Sequence, residues 1–358
     1  MKAIINTSTR RRSFSIVSIT NSMLRHFVPL ANKPLVHYPL ESIAEAGIKE
    51  VAVVYNEGME EVVKQNLAYG SCFGLKITYI FQPNKLGNVD AILLAKDFVG
   101  EDKFLFYLGD NYLVGGINEC VNYFDSSDLS AMVLKVTGRE NKTGGVPVFD
   151  KNNRLTDYLE KPKNPPNEYA IPGLYFFDKT VFASFAEISP FEDGEYKMFQ
   201  VVKSLLDKKK KVEVYDYSDR WFDMGKFDDW IPANQYLLDR NATLSVKSDL
   251  PKDVIISGRV IIGKDCKISN SEIRGPCIIG VGVIVKNSFV GSYSSIGDDC
   301  QINSSSMENS ILMSKVVVEK VSSLIDQSIF GINTNLVSKN GDSLVYNFFL
   351  GNACKIKI

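Results

Sequence analysis

Short apolar runs alternate with amphipathic stretches along the first two thirds of the chain. In chain order these segments are residues 2–5, 40–45, 50–55, 60–67, 76–81, 91–98 and 103–108. Strand patterns that alternate with helical patterns are typical of βαβ units built around a mostly parallel sheet. The pattern therefore predicts an α/β domain with a Rossmann-like mixed sheet.

From about Asn241 onwards the pattern changes to an aliphatic residue at every sixth position, often followed by Gly or Ser. The in-phase series, separated by small slips of phase, are Ile256, Ile262 and Ile268, then Ile279 and Val285, then Ile296 and Ile302. A hexapeptide period indicates coils that stack their aliphatic residues inward, because one coil cannot bury its own apolar face. We therefore predict a left-handed parallel β-helix over residues 241–358, with a strand-rich tail over 344–358, after an α/β domain over residues 1–240.

The length of 358 residues agrees with two domains, because one hydrophobic core seldom supports so long a chain. The net charge is -1, and the dense basic runs, residues 10–12 and 208–211, are short. A nucleic-acid-binding protein needs a basic stripe that neutralises phosphates, so we predict no nucleic-acid partner. No run reaches the roughly 18 apolar residues of a membrane-spanning helix, and no signal-peptide pattern precedes the first strand. We expect a cytoplasmic protein without a membrane partner.

Hexapeptide β-helices often serve as acyltransferases that use a histidine as general base. The two histidines of this chain, His26 and His37, lie before the repeats begin. We therefore predict that the β-helix is a rigid support for oligomerisation and not a second catalytic domain.

One aspartate stands directly after a predicted strand. Asp110 follows the apolar run 103–108 and a glycine. Ligands of open α/β sheets bind outside the carboxyl ends of the strands. The position predicts that Asp110 faces a cleft.

Eight short motifs, spread over nearly the whole chain, form a pattern. They are PLANKP at residues 29–34, AEAGIK at 44–49, LG at 86–87, LGDN at 108–111, EKP at 160–162, PGLYFFD at 172–178, WFDMG at 221–225 and FFLGN at 348–352. In this order and spacing, with a hexapeptide domain behind them, they resemble the long-form glucose-1-phosphate thymidylyltransferases. That resemblance implies a nucleotidyltransferase domain followed by a left-handed β-helix.

The resemblance also implies a reaction. In the family a sugar-1-phosphate oxygen attacks the α-phosphate of a nucleoside triphosphate and releases pyrophosphate, so charge on phosphoryl oxygens must be neutralised. Mg²⁺ does part of this, since it prefers one or two carboxylates together with phosphate oxygens. Asp110 and Asp223 match the family's metal ligands. The implied substrates are glucose-1-phosphate and dTTP or UTP.

Further residues match the family's substrate contacts. Lys161 matches the lysine that binds the sugar phosphate, and Glu160 matches the glutamate that accepts sugar hydroxyls. Gln82 and Gly87 match the segment that contacts the base. The residues that match the lining of the sugar pocket are Gly145, Gly173, Tyr175 and Trp221.

The chain departs from the family on the nucleotide side. The family wraps the triphosphate with the backbone amides of a glycine-rich loop, G-G-x-G-T-R-x-x-P-x-T, whereas residues 6–20 contain no glycine. Arg25 stands where the family has a triphosphate-binding lysine, and residues 194–200 differ from the family's G-E-x-x-I-T-D. Close approach of backbone to phosphate usually depends on glycine, so this loop cannot act in the family's way.

Two functions follow from this combination. The first is an active enzyme in which Arg10, Arg11 and Arg12, with hydroxyl side chains and Arg25, bind the triphosphate in place of glycine amides. The second is a noncatalytic regulatory or scaffolding subunit that keeps the fold. The intact pair of metal carboxylates favours the first function, and the missing loop favours the second. By resemblance we expect a homo-oligomer, with a hetero-oligomer containing an active paralogue as the alternative.

Overall fold

A computed structural model describes residues 1–8, 25–83, 87–137, 144–191, 194–338, 348–352 and 354–357. These residues form two compact units. The first unit contains residues 1–8 and 36–223, and the second contains residues 25–35 and the described residues from 224 onwards. The predicted domain boundary between residues 240 and 241 stays a prediction.

The order of the elements up to residue 241 is that of an α/β protein. The described strands are β1 (Lys2–Asn6), β2 (Pro29–Leu30), β3 (Lys33–Pro34), β4 (Glu50–Asn56), β5 (Lys76–Gln82), β6 (Phe104–Leu108), β7 (Asn111–Leu113), β8 (Ala131–Lys135), β9 (Gly145–Phe149), β10 (Leu155–Glu160), β11 (Leu174–Phe177), β12 (Val212–Asp216) and β13 (Trp221–Asp223). The described helices are α1 (His37–Glu45), α2 (Glu60–Leu67), α3 (Asn88–Leu94), α4 (Lys96–Val99), α5 (Asn118–Ser126), α6 (Val181–Phe185), α7 (Met198–Asp207) and α8 (Trp230–Asn241), with 3-10 turns at Arg25–Phe27, Ala68–Phe73 and Phe227–Asp229.

The first unit is built on a mixed sheet in the order β12-β8-β11-β6-β1-β4-β5. Strands β1, β4, β5 and β6 run parallel, as do β8 and β12, and β11 is antiparallel to both of its neighbours. The carboxyl ends of β1, β5 and β6 therefore lie at one edge of the sheet, where ligands of such folds bind. The predicted Rossmann-like mixed sheet is confirmed.

Apolar side chains of the strands and helices form the core of this unit. Ile4, Phe106 and Phe177, from three neighbouring strands, are fully buried, and Val201 and Leu205 of α7 pack into the same cluster. Complete burial of such side chains stabilises the fold by about 1.5–3 kcal/mol each. The predicted helical stretch 91–98 is divided at Ala95 into α3 and α4.

The second unit contains a stack of short parallel strands. They are β14 (Ser245–Val246), β15 (Val254–Ser257), β16 (Val260–Ile262), β17 (Lys267–Ser269), β18 (Ser271–Arg274), β19 (Cys277–Ile279), β20 (Ile284–Lys286), β21 (Phe289–Val290), β22 (Ser295–Ile296), β23 (Gln301–Asn303), β24 (Ser306–Met307), β25 (Ile311–Leu312), β26 (Val317–Glu319), β27 (Leu324–Ile325), β28 (Ile329–Phe330), β29 (Asn335–Val337), β30 (Phe349–Leu350) and β31 (Lys355–Lys357). They form three parallel sheets of seven, five and six described strands. The predicted left-handed parallel β-helix is confirmed.

The coils of this β-helix explain the slips in the hexapeptide phase. Ile262 pairs with Ile279, and Ile279 pairs with Ile296, each 17 residues further along the chain. A coil of 17 residues has two corners spaced by six residues and one spaced by five. The short corner lies between Ile268 and Ile273, where Asn270 has a positive φ of 43°. Each slip of phase therefore marks one completed coil.

A hairpin and a helix pack against the β-helix within the second unit. The side chain of Asn234 in α8 accepts from the Ala31 amide at 2.9 Å and from the Ser295 hydroxyl at 2.8 Å, and it donates to the Tyr293 carbonyl at 3.1 Å. Asn234 is 1% exposed, so these bonds satisfy a buried amide. The PLANKP motif, which forms the β2–β3 hairpin, thus contacts the coils through Asn234.

Helix length and hydropathy were compared with the needs of a bilayer. None of the described helices is long and apolar enough to cross a membrane.

Candidate active site

The two predicted metal carboxylates lie on paired strands of the first unit. Asp110 immediately precedes β7, and Asp223 is the last residue of β13. These strands pair antiparallel, with Asn111 opposite Asp223. Asp110 is 8% exposed and Asp223 is half-buried. Residues far apart in the chain are thus brought to one edge of the sheet.

Asn111 connects three of the predicted site residues. Its Nδ2 donates to Asp110 Oδ1 at 2.9 Å. Its Oδ1 accepts from Trp221 Nε1 at 2.7 Å and from the Gly173 amide at 3.0 Å. Asn111 is 2% exposed. Because its oxygen and its nitrogen both have partners, its amide has one orientation, and that orientation fixes the side chain of Asp110.

Gly173 is required by this close packing. A Cβ at this position would lie 2.6 Å from Leu108 Cδ1 and 2.8 Å from Asn111 Oδ1, closer than real Cβ atoms approach other groups. The Gly173 carbonyl also accepts from the Leu108 amide at 2.8 Å. Glycine thus allows β11 to reach the end of β6 beside Asp110.

The donor set at Asp110 and Asp223 fits a hard divalent cation. Carboxylate oxygens are preferred ligands of Mg²⁺, which usually keeps only one or two of them and completes its shell with phosphate oxygens and water. Among the residues that the structure describes, no cluster of three or more His, Cys, Asp or Glu side chains has the geometry of a metal site. The remaining ligands would therefore come from a substrate phosphate and solvent.

The predicted sugar-pocket residues Gly145 and Tyr175 meet at Tyr158. Gly145 opens β9, and a Cβ there would lie 2.2 Å from Tyr158 Oη. The Tyr158 hydroxyl is 3.0 Å from the Tyr175 hydroxyl. Burial raises the pKa of both phenols well above the ordinary value, so both remain neutral hydroxyls. The glycine therefore leaves room for a buried pair of tyrosines.

Glu160 and Lys161 follow at the end of β10. Glu160 pairs with Gly145 in the β9–β10 ladder. Lys161 has a positive φ of 48°, and its Nζ lies 3.9 Å from Glu160 Oε1 with 64% of the side chain exposed. Partial burial raises the pKa of Glu160, and the positive charges of Lys161 and Lys197 oppose that shift. The ammonium group of Lys161 is thus open to an anionic ligand beside a carboxylate that can accept hydroxyls.

A cavity of about 330 Å³ adjoins Glu160. Lys197, Tyr158, Phe191 and Phe199 line it. Lys197 Nζ lies 2.6 Å from Glu195 Oε2. The segment that departs from the family's G-E-x-x-I-T-D therefore brings a second cation to the surroundings of Glu160.

The predicted base-contacting residues lie on the other side of the strand edge. Gln82 ends β5 and is 2% exposed. Gly87 has a φ of 93°, and a Cβ there would lie 2.9 Å from the Tyr196 carbonyl oxygen. Both the positive φ and the close approach require glycine. Gly87 thus meets the same 194–197 segment that reaches Glu160.

The predicted triphosphate-binding arginines are placed differently. Arg25 begins the 3-10 turn Arg25–Phe27, which belongs to the second unit. Arg10, Arg11 and Arg12 lie outside the described residues. The roles of these four arginines stay predictions.

Comparisons with known proteins agree with this geometry. Residues 16–240 match the model of a protein family described as nucleotidyl transferase. The chain belongs to the nucleotidyl transferase family. It is 32% identical over 362 aligned residues to a glucose-1-phosphate thymidylyltransferase of Streptomyces antibioticus, covering 100% of this chain and 99% of the relative. A second relative of the same name, from Streptomyces griseus, is 33% identical over 83% of this chain and 82% of its own length.

A solved structure gives the same result. A Bacillus anthracis protein described as a glucose-1-phosphate thymidylyltransferase, in complex with sucrose, superposes with a TM-score of 0.62 at 25% identity. The match covers 68% of this chain and 97% of that chain. The predicted resemblance, the predicted fold class and the prediction of a nucleotidyltransferase enzyme are confirmed. Members of the family act on a nucleoside triphosphate and a sugar-1-phosphate, and they generally use a divalent metal ion.

The structure of this nucleotidyl transferase also identifies residues that the sequence did not single out. Asn111 stands within the LGDN motif, but its bonds to Trp221 and Gly173 join positions distant in the chain. Lys197 reaches the surroundings of Glu160 from a segment in which the family's pattern is lost. The motif was a usable signal for Asn111, whereas nothing in the sequence marks Lys197.

Proposed function

We propose that this chain transfers a nucleoside monophosphate unit from dTTP or UTP to glucose-1-phosphate and releases pyrophosphate. The observation that carries the proposal is the hydrogen bonding of Asn111 to Asp110, Gly173 and Trp221. These bonds join a candidate metal carboxylate to two residues expected to line the sugar pocket. A noncatalytic subunit would have no need to hold them together.

In this proposal Asp110 and Asp223 hold Mg²⁺, which neutralises charge on the phosphoryl oxygens. Two carboxylates in one cleft repel each other without a cation, so the pair itself favours a metal. Lys161 binds the sugar phosphate as a point charge, and Glu160 accepts sugar hydroxyls. Arg10, Arg11 and Arg12, together with Arg25, bind the triphosphate. The glycines at 145 and 173 leave space for the sugar ring beside Tyr175 and Trp221.

The test is release of pyrophosphate by the purified full chain with Mg²⁺, glucose-1-phosphate and each nucleoside triphosphate in turn. We expect release with dTTP or UTP and a loss of about a hundredfold or more in Asp110→Asn, since electrostatic stabilisation is usually the largest catalytic contribution. The matched control is Asp125→Asn, an exposed position on α5. Both variants should unfold at the temperature of the parent protein.

The contrary outcomes are equally definite. If no triphosphate yields pyrophosphate with any common hexose-1-phosphate, the enzymatic proposal is wrong and the noncatalytic subunit takes its place. Unchanged turnover in Asp110→Asn would remove the metal role from that residue.

We also propose a homo-oligomer that forms through the β-helix, in a cytoplasmic protein. Solenoid surfaces present repeated, regular faces that can pack against copies of themselves. Sedimentation velocity at micromolar concentration tests the assembly. A monomer at that concentration would contradict it.

A further inference from the structure

The side-chain amide of Gln82 is held by three contacts. Its Nε2 donates to Asp90 Oδ2 at 2.8 Å and to the Gly87 carbonyl oxygen at 3.1 Å. Its Oε1 accepts from the hydroxyl of Ser8. Gln82 is almost completely buried, whereas Asp90 in α3 is partly exposed. The whole network lies where β1 and β5 end.

These contacts give the amide of Gln82 one orientation. A carboxylate and a backbone carbonyl can only accept hydrogen bonds, so both require the NH₂ group of Gln82. The hydroxyl of Ser8 can either donate or accept, so it permits both orientations. Asp90 and the Gly87 carbonyl therefore decide the orientation, and Oε1 is turned towards Ser8.

The oxygen of Gln82 shares its donor with a second acceptor. Ser8 Oγ also donates to Asn6 Oδ1 at 2.6 Å, and the Ser8 amide donates to the same oxygen at 2.9 Å. Asn6 in turn donates to Asn88 Oδ1 at 2.9 Å. One hydroxyl proton cannot satisfy both acceptors at once. When Ser8 donates to Asn6, Oε1 of Gln82 is left to accept from another donor.

We propose that Asp90 is a positioning residue that sets the base specificity of the nucleotide site by fixing Oε1 of Gln82 as an acceptor. The inference rests on the proposed function, in which Gln82 meets the base. Uracil and thymine carry a proton on N3 of the Watson–Crick edge, which an acceptor matches. Cytosine presents an unprotonated N3 at the same place, so two acceptors would face each other. Asp90 thus selects pyrimidines with an N3 proton.

The test compares UTP with CTP, whose rings differ only at this edge. We measure kcat/KM for both triphosphates with glucose-1-phosphate and Mg²⁺ in the parent protein, Asp90→Asn and Asp90→Glu. Asparagine can donate or accept, so Asp90→Asn lets the Gln82 amide reverse. We expect the UTP-to-CTP ratio to fall by about tenfold or more, equivalent to about 1.4 kcal/mol. Asp90→Glu keeps an acceptor-only group and should retain the ratio of the parent.

A matched control and a second variant keep the result interpretable. Asp97→Asn removes one charge at an exposed position of α4 and should leave the ratio unchanged. Asp90→Ser, whose hydroxyl also donates or accepts, carries the same expectation as Asp90→Asn if the latter does not fold. A purely structural role would lower both rates together and leave the ratio constant, which would overturn the inference.

Failure of the proposed function gives a different result. An enzyme that releases pyrophosphate yet prefers CTP contradicts the inference and leaves nucleotidyl transfer in place. If no triphosphate turns over, the proposed function fails, and calorimetric binding of UDP and CDP tests the inference without turnover. Equal binding of the two diphosphates by the parent protein would then overturn it.

Discussion

The side-chain amide of Asn111 donates a hydrogen bond to the carboxylate of Asp110, 2.9 Å away. Through its oxygen the same amide holds the indole of Trp221 and the backbone of Gly173. The position of Asp110 therefore depends on residues from three separate parts of the chain. Four predictions follow from this and neighbouring features of the structure.

Asn111→Leu should destabilise the first unit and abolish turnover. The substitution leaves the Trp221 Nε1 and the Gly173 amide buried without an acceptor, and each unsatisfied group costs about 1–3 kcal/mol. We expect the free energy of unfolding to fall by about 2–4 kcal/mol. Urea unfolding followed by tryptophan fluorescence measures the change. Asn122→Leu, at an exposed position on α5, is the control, and an equal loss in both variants would contradict the role of Asn111.

Adjacent glycines offer a sharper comparison at the sugar side. In Gly145→Ala the new Cβ would lie 2.2 Å from Tyr158 Oη, so the tyrosine must move away from Tyr175. We expect a loss of about 1–3 kcal/mol in the free energy of unfolding, as for other overpacked cores. Gly144→Ala has nothing within 4 Å of its Cβ and should change stability by less than about 0.5 kcal/mol. Equal stability of the two variants would show that Tyr158 has room to shift.

Lys161→Ala should weaken binding of the sugar phosphate without unfolding the protein. The side chain is 64% exposed, so its removal leaves no buried cavity. Hydrogen bonds to charged groups are worth about 1.5–3 kcal/mol, which predicts a rise of roughly ten- to a hundredfold in KM for glucose-1-phosphate. Lys163→Ala, an exposed lysine two positions further on, is the control. A KM shared by the parent and Lys161→Ala would remove the phosphate role.

The cysteines predict which parts of the protein open to solvent. Burial raises the pKa of the Cys120, Cys277 and Cys300 thiols to about 12, so at pH 8 these thiols are protonated as well as inaccessible. Cys72 is exposed. Treatment with iodoacetamide at pH 8, followed by mass spectrometry, should modify Cys72 and spare the other three until the chain unfolds. Modification of Cys300 in the native protein would mean that the interior of the β-helix opens.

Much of the fold could be predicted because its burial pattern is local. Each inward aliphatic residue of the β-helix, such as Ile262 or Val285, recurs at a fixed distance from the next, and both are fully buried. The pattern seems to weaken near Ile311 only because coil length varies there, while Val318 and Leu336 remain buried. Periodicity thus identified the architecture, and the lengths of individual corners required the structure.

The candidate site could be predicted only in part. The motif that contains Asp110 marks a strand end, which sequence alone can locate. The bonds that orient its neighbours, from Asn111 to Trp221 or from Gln82 to Asp90, depend on which rotamer and which pairing the fold selects. Likewise no local signal shows that Gly87 touches the backbone of Tyr196. Long-range hydrogen bonding has no period along the chain, so it leaves no pattern to read.

The variable coil length of the β-helix has a consequence for how this domain can change. Successive coils differ by one residue, since Ile296 pairs with Leu312 after 16 residues and Leu312 pairs with Phe330 after 18. In a flat sheet, a shift of one residue turns every following side chain to the opposite face. Here each corner absorbs the difference before the next strand begins. Single-residue insertions and deletions at the corners are therefore a route by which the outer surface of the domain can diverge while its interior stays the same.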